Sequence, residues 1–143
     1  MIAIDTNVLV YYVDSSEAVK QHQARQLIRE LIQTRADPIL LWQVAVEFLN
    51  CMRRWELADR INRAETIRYF ERLEAWFELV VPNRSVLHTA LDLNSRYSLS
   101  HWDSLLVAAC IEAGATTLYS EDMQGGADYD GVRIVNPFRN PVS

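Results

Sequence analysis

Apolar residues along the chain fall into two rhythms. Short unbroken apolar runs alternate with longer stretches in which apolar residues recur every three to four positions. The first pattern predicts strands buried on both faces, the second amphipathic helices. Strands are expected at 2–4, 39–42, 79–81, 116–119 and 132–135. Helices are expected at 7–13, from a Ser15 or Ser16 cap to about residue 34, at 43–55, 62–77 and 85–97, and from near Trp102 to Gly114. Ala24, Leu27, Ile28 and Leu31 carry the i, i+3, i+4, i+7 spacing in the second helix. Val44, Phe48, Cys51, Met52 and Trp55 share one face of the third. Gly114 suits the left-handed residue that closes a helix. Strands separated by helices need right-handed crossovers, so the expected fold is α/β, with a mainly parallel five-stranded sheet covered on both faces. No repeat, low-complexity tract or linker interrupts the pattern, and one domain over 1–143 is expected.

Composition narrows the class. The chain has 143 residues, of which 50% are hydrophobic and 23% charged, enough for a core without staples. That balance excludes a disordered tail, a collagen-like rod and a disulfide mini-protein. No apolar run reaches the roughly 20 residues of a membrane-spanning helix, and no basic segment precedes the first apolar stretch as in a secretion signal. An intracellular, cytoplasmic protein with no membrane partner is expected. Cys51 and Cys110 lack neighbours at zinc-ligand spacing and sit in apolar helical patterns, so both read as buried free thiols. The formal charge of −5 argues against avid sequence-independent duplex binding. It leaves room for an acidic site that holds divalent cations.

In parallel α/β folds the functional crevice lies beyond the carboxyl ends of the strands. Asp5 follows the first strand directly. Glu47 lies about one turn into the helix after the second. Asp103 falls in the first turn of the helix that starts near Trp102, and Asp122 comes three residues after the fourth strand. Each has an ordinary alternative: Asp5 as a helix cap, Asp103 as a complement to a helix dipole, Glu47 and Asp122 as solvated acids. Four such residues at one sheet edge are better explained by a shared cation. Like charges a few ångströms apart repel, and hard oxygen ligands favour Mg2+ or Mn2+.

These residues resemble the successive motifs of the PIN domain family. The likeness rests on Ile4-Asp5-Thr6-Asn7-Val8-Leu9, Val46-Glu47-Phe48, His101-Trp102-Asp103-Ser104-Leu105-Leu106-Val107-Ala108-Ala109 and Leu118-Tyr119-Ser120-Glu121-Asp122-Met123. The chain length and Ser120-Glu121-Asp122-Met123-Gln124 are similar to VapC-type toxins of toxin–antitoxin pairs. The resemblance implies a three-layer α/β/α sandwich and a metal-dependent ribonuclease that leaves 5′-phosphate and 3′-hydroxyl ends. It also implies a homodimer restrained by a cognate antitoxin. It assigns the acidic ligands to Asp5, Glu47, Asp103 and Asp122, and supporting hydroxyl and amide positions to Thr6, Asn7 and Ser120. Glu121, beside Asp122, leaves open which of the two acids faces the site.

Rival readings fit less well. A phosphohydrolase with an aspartate nucleophile carries a second Asp two residues on, where this chain has Asn7. The first strand-to-helix turn has no glycines to cradle phosphate, and no serine sits in a nucleophile elbow. A non-catalytic PIN-fold binding module is the alternative from a different class. Arg53, Arg54, Arg60, Arg63, Arg68 and Arg72 are interleaved with Glu56, Asp59, Glu65 and Glu71. They read either as a salt-bridged helix pair or as a rim facing RNA or antitoxin. Trp55, Tyr69, Phe70, Trp76 and Phe77 exceed what a small core absorbs, which predicts an exposed interface there.

Overall fold

A computed structural model describes residues 1–138. The expected domain of 1–143 extends into residues 139–143, which lie outside the described residues. In chain order the elements are β1 (Ile2–Ile4), α1 (Thr6–Val13), α2 (Ala18–Gln33), β2 (Pro38–Leu41), α3 (Trp42–Leu57), α4 (Arg63–Trp76), β3 (Glu78–Val80), α5 (Ser85–Tyr97), α6 (His101–Ala113), β4 (Thr117–Tyr119), β5 (Asp128–Tyr129) and β6 (Val132–Val135). The strands form one sheet in the order β3-β2-β1-β4-β6-β5, parallel throughout except where β5 meets β6.

This order locates the functional crevice. From β1 the chain steps outward to β2 and β3, then returns to lay β4 on the other side of β1. Right-handed crossovers therefore place α1–α4 on one face and α5–α6 on the other. Accordingly α1 packs on α2 and α3, and α5 packs on α6. The three-layer expectation holds. Connections diverge between β1 and β4, the topological switch point where such sheets bind ligands.

The sheet is buried on both sides. Ile4, Ile39, Leu40, Leu41, Leu118 and Ile134 from the strands meet Leu9, Ile28, Phe48, Met52 and Leu93 from the helices, all at most 2% exposed. Each such side chain stabilises the fold by about 1.5–3 kcal/mol of transfer free energy. Asn62 and Glu65 form a reciprocal capping box at the start of α4. Gly114, at φ +81°, closes α6 as expected.

Three expectations need correction. The sheet has six strands, not five. β5 pairs Tyr129 with Val132 and Asp128 with Arg133 across Asp130-Gly131, both at positive φ. Asp-Gly is a strong signal for such a two-residue hairpin, but a two-residue strand is too short to show alternation. Trp42 begins α3 instead of ending β2. Leu41 already has the extended conformation of an N-cap, and an apolar residue at that junction carries no periodic signature. Neither Ser15 nor Ser16 caps α2, which starts at Ala18 behind Glu17 with no side-chain cap. Ser16 instead donates to Asp14, the residue that ends α1.

Candidate active site

Asp5 sits where β1 ends and α1 begins. Its backbone N–H donates to the Tyr119 carbonyl at 2.8 Å, tying the end of β1 to the end of β4. Its carboxylate caps α1, with Oδ1 accepting from Thr6 N–H at 2.7 Å. Oδ2 accepts from the Ser120 hydroxyl at 2.8 Å. Ser120, in turn, is fully buried just past β4. One acid thus joins two strand ends at the switch point.

The second acid arrives through α3. Glu47 is exposed on α3, next to the buried Phe48. Its Oε2 accepts from Thr6 Oγ1 at 2.8 Å. Gln43, one turn earlier on the same face, donates Nε2 to Glu47 Oε1 and to the Trp102 carbonyl, at 3.4 and 3.3 Å. Gln43 so connects Glu47 to the first turn of α6, where the backbone N–H of half-buried Asp103 donates to the capping Ser100 Oγ at 3.1 Å. Gln43 was absent from the sequence-derived set, although its spacing of four from Glu47 places the two on one helix face.

Electrostatics shows which acids share a field. Burial is the main cause that pushes the Asp5 carboxyl above its ordinary range. The Ser120 and Thr6 hydrogen bonds oppose it, and the charges of Glu47 and Asp122 push it further up. Asp5, Glu47 and Asp122 therefore form one interacting group. Asp103 adjoins it through Gln43, whose amide donates to the carbonyl of Trp102, the residue before Asp103. Among the described residues, no three His, Cys, Asp or Glu side chains stand at metal-holding distances. Asp5 and Glu47 are turned to hydrogen-bond donors of their own, so the four acids share a sheet edge without forming a closed ligand set.

Residues 2–124 match the family model described as PIN domain. The chain belongs to the PIN domain family. Among solved structures, it is similar to a chain of a toxin–antitoxin complex from Klebsiella pneumoniae, with a TM-score of 0.64, 16% identity, and coverage of 96% of this chain and 98% of that one. It is also similar to the sarcin–ricin-loop-cleaving toxin VapC20 of Mycobacterium tuberculosis (TM-score 0.63, 15% identity, covering 85% and 90%). A third similar structure is a Pyrobaculum aerophilum protein (TM-score 0.59, 16% identity, covering 94% and 83%). At these identities the likeness establishes the fold. No curated protein matches by sequence.

The donors of this PIN domain suit a hard cation. Around Asp5 they are the carboxylates of Glu47 and Asp122 and the hydroxyls of Thr6 and Ser120, with no thiolate. Cys110 lies near enough to feel the Asp5 charge, but burial, the larger cause, helps push its thiol up to about 12, so it stays protonated. Asn7, on α1 two residues past Asp5, has both side-chain amide atoms buried and without partners among the described residues. Unpaired buried polar atoms are rare, and here they leave hydrogen-bonding capacity beside the acids.

The surroundings of the PIN site correct one further expectation. Phe77 is buried, while Trp55, Tyr69, Phe70 and Trp76 are half-buried against the core. Tyr12 meets Tyr69 and Trp76 edge-on, and the Arg60 guanidinium covers Trp55 at 4.1 Å. An exposed apolar group lies elsewhere: Trp42, Val81, Leu87 and Trp102, the last 64% exposed, line one cleft of ≈ 460 Å³. Arg53 and Arg63 pair with Glu56, and Arg60 with Asp14, which favours the salt-bridged reading for these three. His101 is exposed, its ring edge-on to Trp102.

Proposed function

We propose that this PIN domain is a divalent-metal-dependent endoribonuclease, the toxin of a toxin–antitoxin pair acting in the cytoplasm. The observation that carries the reading is the half-buried Asp5 at the switch point, its carboxyl raised by burial and by the charges of Glu47 and Asp122. A site that disfavours its own ionised acid is one that a cation would stabilise. The family membership and the likeness to a structure described as an RNA-loop-cleaving toxin support the same reading.

In this reading Asp5, Asp103 and Asp122 hold Mg2+ or Mn2+, with Glu47 binding or orienting the attacking water. Bound there, the ion supplies Lewis acidity that activates water near neutral pH and offsets phosphate charge. Thr6 and Gln43 fix the Glu47 carboxylate, and Ser120 and the Thr6 N–H fix Asp5. Asn7 offers its amide to the water or phosphate. Water attacks phosphorus as the P–O3′ bond breaks, the proton that water gives up is matched by the one the leaving 3′-oxygen takes, and the products carry 5′-phosphate and 3′-hydroxyl ends. The test is a panel of defined RNAs with Mn2+ or with EDTA, with sequencing of the product ends. Cleavage should require Mn2+ and leave 5′-phosphates. Cleavage undiminished by EDTA, or Mn2+ binding with no cleavage of any RNA, rejects the reading; the latter outcome favours the non-catalytic module.

The partners in this reading are RNA, a cognate antitoxin and a second copy of the chain. The second copy would cover the cleft lined by Trp42, Val81, Leu87 and Trp102, where apolar side chains face solvent together. Leu87→Glu should shift the protein to monomer in analytical ultracentrifugation while its melting temperature changes little, since Leu87 is 59% exposed. Monomeric wild-type protein at high micromolar concentration would refute the dimer.

A further inference from the structure

Two acids stand side by side after β4, Glu121 and Asp122, and the charge of Asp122 is among the causes that raise the Asp5 carboxyl. Both oxygens of Glu121 are engaged away from the acidic group. Tyr11 Oη donates to Glu121 Oε1 at 2.8 Å, and Lys20 Nζ meets Oε2 at 2.7 Å. Lys20 Nζ also donates to Tyr11 Oη at 3.2 Å, which closes a three-membered network. The Tyr11 ring is held edge-on by Phe138, with centroids 5.0 Å apart, and the Lys20 ammonium lies over both rings. Lys20 is the only lysine in a chain whose other long cations are arginines. Four separate segments meet here: α1, α2, the loop after β4, and the stretch after β6. The residue before Glu121 is Ser120, which holds Asp5.

We propose that Lys20 and Tyr11 form a latch that positions the loop 120–122 by binding both oxygens of Glu121. The latch keeps Glu121 out of the acidic site and presents Asp122 to it, so it helps set the affinity for the divalent cation. Lys20 and Tyr11 are positioning residues: they act through Glu121, and neither touches the reacting atoms. The inference rests on the metal-dependent reading above. It makes a prediction opposite to bare charge counting. Removing a cation beside an acidic site should strengthen metal binding, and removing an anion should weaken it. A latch is broken alike from either side.

The test is isothermal titration of the full chain with Mn2+, paired with thermal denaturation. The variants are Lys20→Met, Glu121→Gln, the two combined, Tyr11→Phe and Lys20→Arg. Lys20→Met and Glu121→Gln should each weaken Mn2+ binding by about tenfold, the scale seen when a partner of a metal ligand is lost. The double variant should bind no more weakly than either single one, because both break the same contact. Tyr11→Phe should weaken binding too, and Lys20→Arg should restore most of it. Melting should move little, as for other partly exposed ion pairs. Tighter binding by Lys20→Met with weaker binding by Glu121→Gln, combining additively, would overturn the latch in favour of simple charge. Unchanged affinity in every variant would overturn it as well. Should Lys20→Met fail to fold, Glu121→Gln and Tyr11→Phe decide. If wild-type protein binds no Mn2+, the metal-dependent reading itself fails and takes the latch with it.

Discussion

Asp5→Asn should remove most RNA cleavage and, in the absence of metal, make the protein more stable. Cleavage in Mn2+ should fall by about 10²–10³-fold, the scale of losing one charge-stabilising group. The stability gain follows from the raised pKa. In the folded chain the Asp5 carboxyl titrates above the ordinary value of 3.8, chiefly through burial. Its contribution to stability is therefore present in full below the unfolded-state pKa and is lost as pH rises through the folded value. Asparagine does not ionise, so it escapes that loss. It also keeps an oxygen for the Thr6 N–H and places an amide against the Ser120 hydroxyl, which can accept. The variant should melt a few degrees higher in EDTA at pH 7.5, about 1 kcal/mol, the usual size when a functional residue held at a cost is replaced. Below the ordinary value of 3.8 the difference between the two proteins should shrink towards zero. A variant that melts lower at pH 7.5, or that cleaves RNA at close to the wild-type rate, contradicts the assignment.

The second large effect separates neighbours in sequence. Phe48→Ala should destabilise the protein by about 3–5 kcal/mol, because the ring is 0% exposed between the sheet and its helical layer. Total stability for a domain is about 5–15 kcal/mol, so this one change removes a large fraction of it. Glu47→Gln, one position earlier, should leave stability within about 0.5 kcal/mol, since the side chain is exposed and glutamine still accepts from Thr6. Its cleavage should nevertheless fall by about tenfold or more, because a neutral amide cannot serve the cation or the attacking water as a carboxylate does. Urea denaturation with RNA cleavage on both variants checks the pair. Equal losses of stability would mean that Glu47 belongs to the core and not to the crevice.

Much of this was legible without coordinates, for reasons that can be named. Parallel strands buried on both faces must be continuously apolar, so β1, β2 and β6 stood out as short runs closed by a polar or proline residue. Helices with one buried face must repeat every 3.6 residues, and α3 and α5 did. In a parallel sheet the crevice lies beyond the carboxyl ends of the strands, and Asp5, Glu47, Asp103 and Asp122 became candidates from their places relative to those ends. The misreadings share a cause as well. At Trp42, β5 and the start of α2, the element boundary falls on a stretch too short to show a period. Tyr69 and Trp76 read as surplus because their partner, Tyr12, lies far away in the chain, and Trp55 because no periodic pattern shows the Arg60 guanidinium folding over its ring.

From the sequence alone came the layered α/β fold, the one-sided faces of its helices, and four acids destined for a single sheet edge. Only the tertiary structure decided that Glu47 and Asp122 act on Asp5, that Gln43 bridges α3 to α6, and that Lys20 and Tyr11 engage Glu121. It also showed that solvent meets Trp42, Leu87 and Trp102 instead of the aromatic residues of α4. The physical reason is range. Periodicity, turns and caps are local and are written in neighbouring residues, whereas burial, hydrogen-bond partners and electrostatic coupling arise between residues such as Tyr11 and Glu121 that only the folded chain brings together.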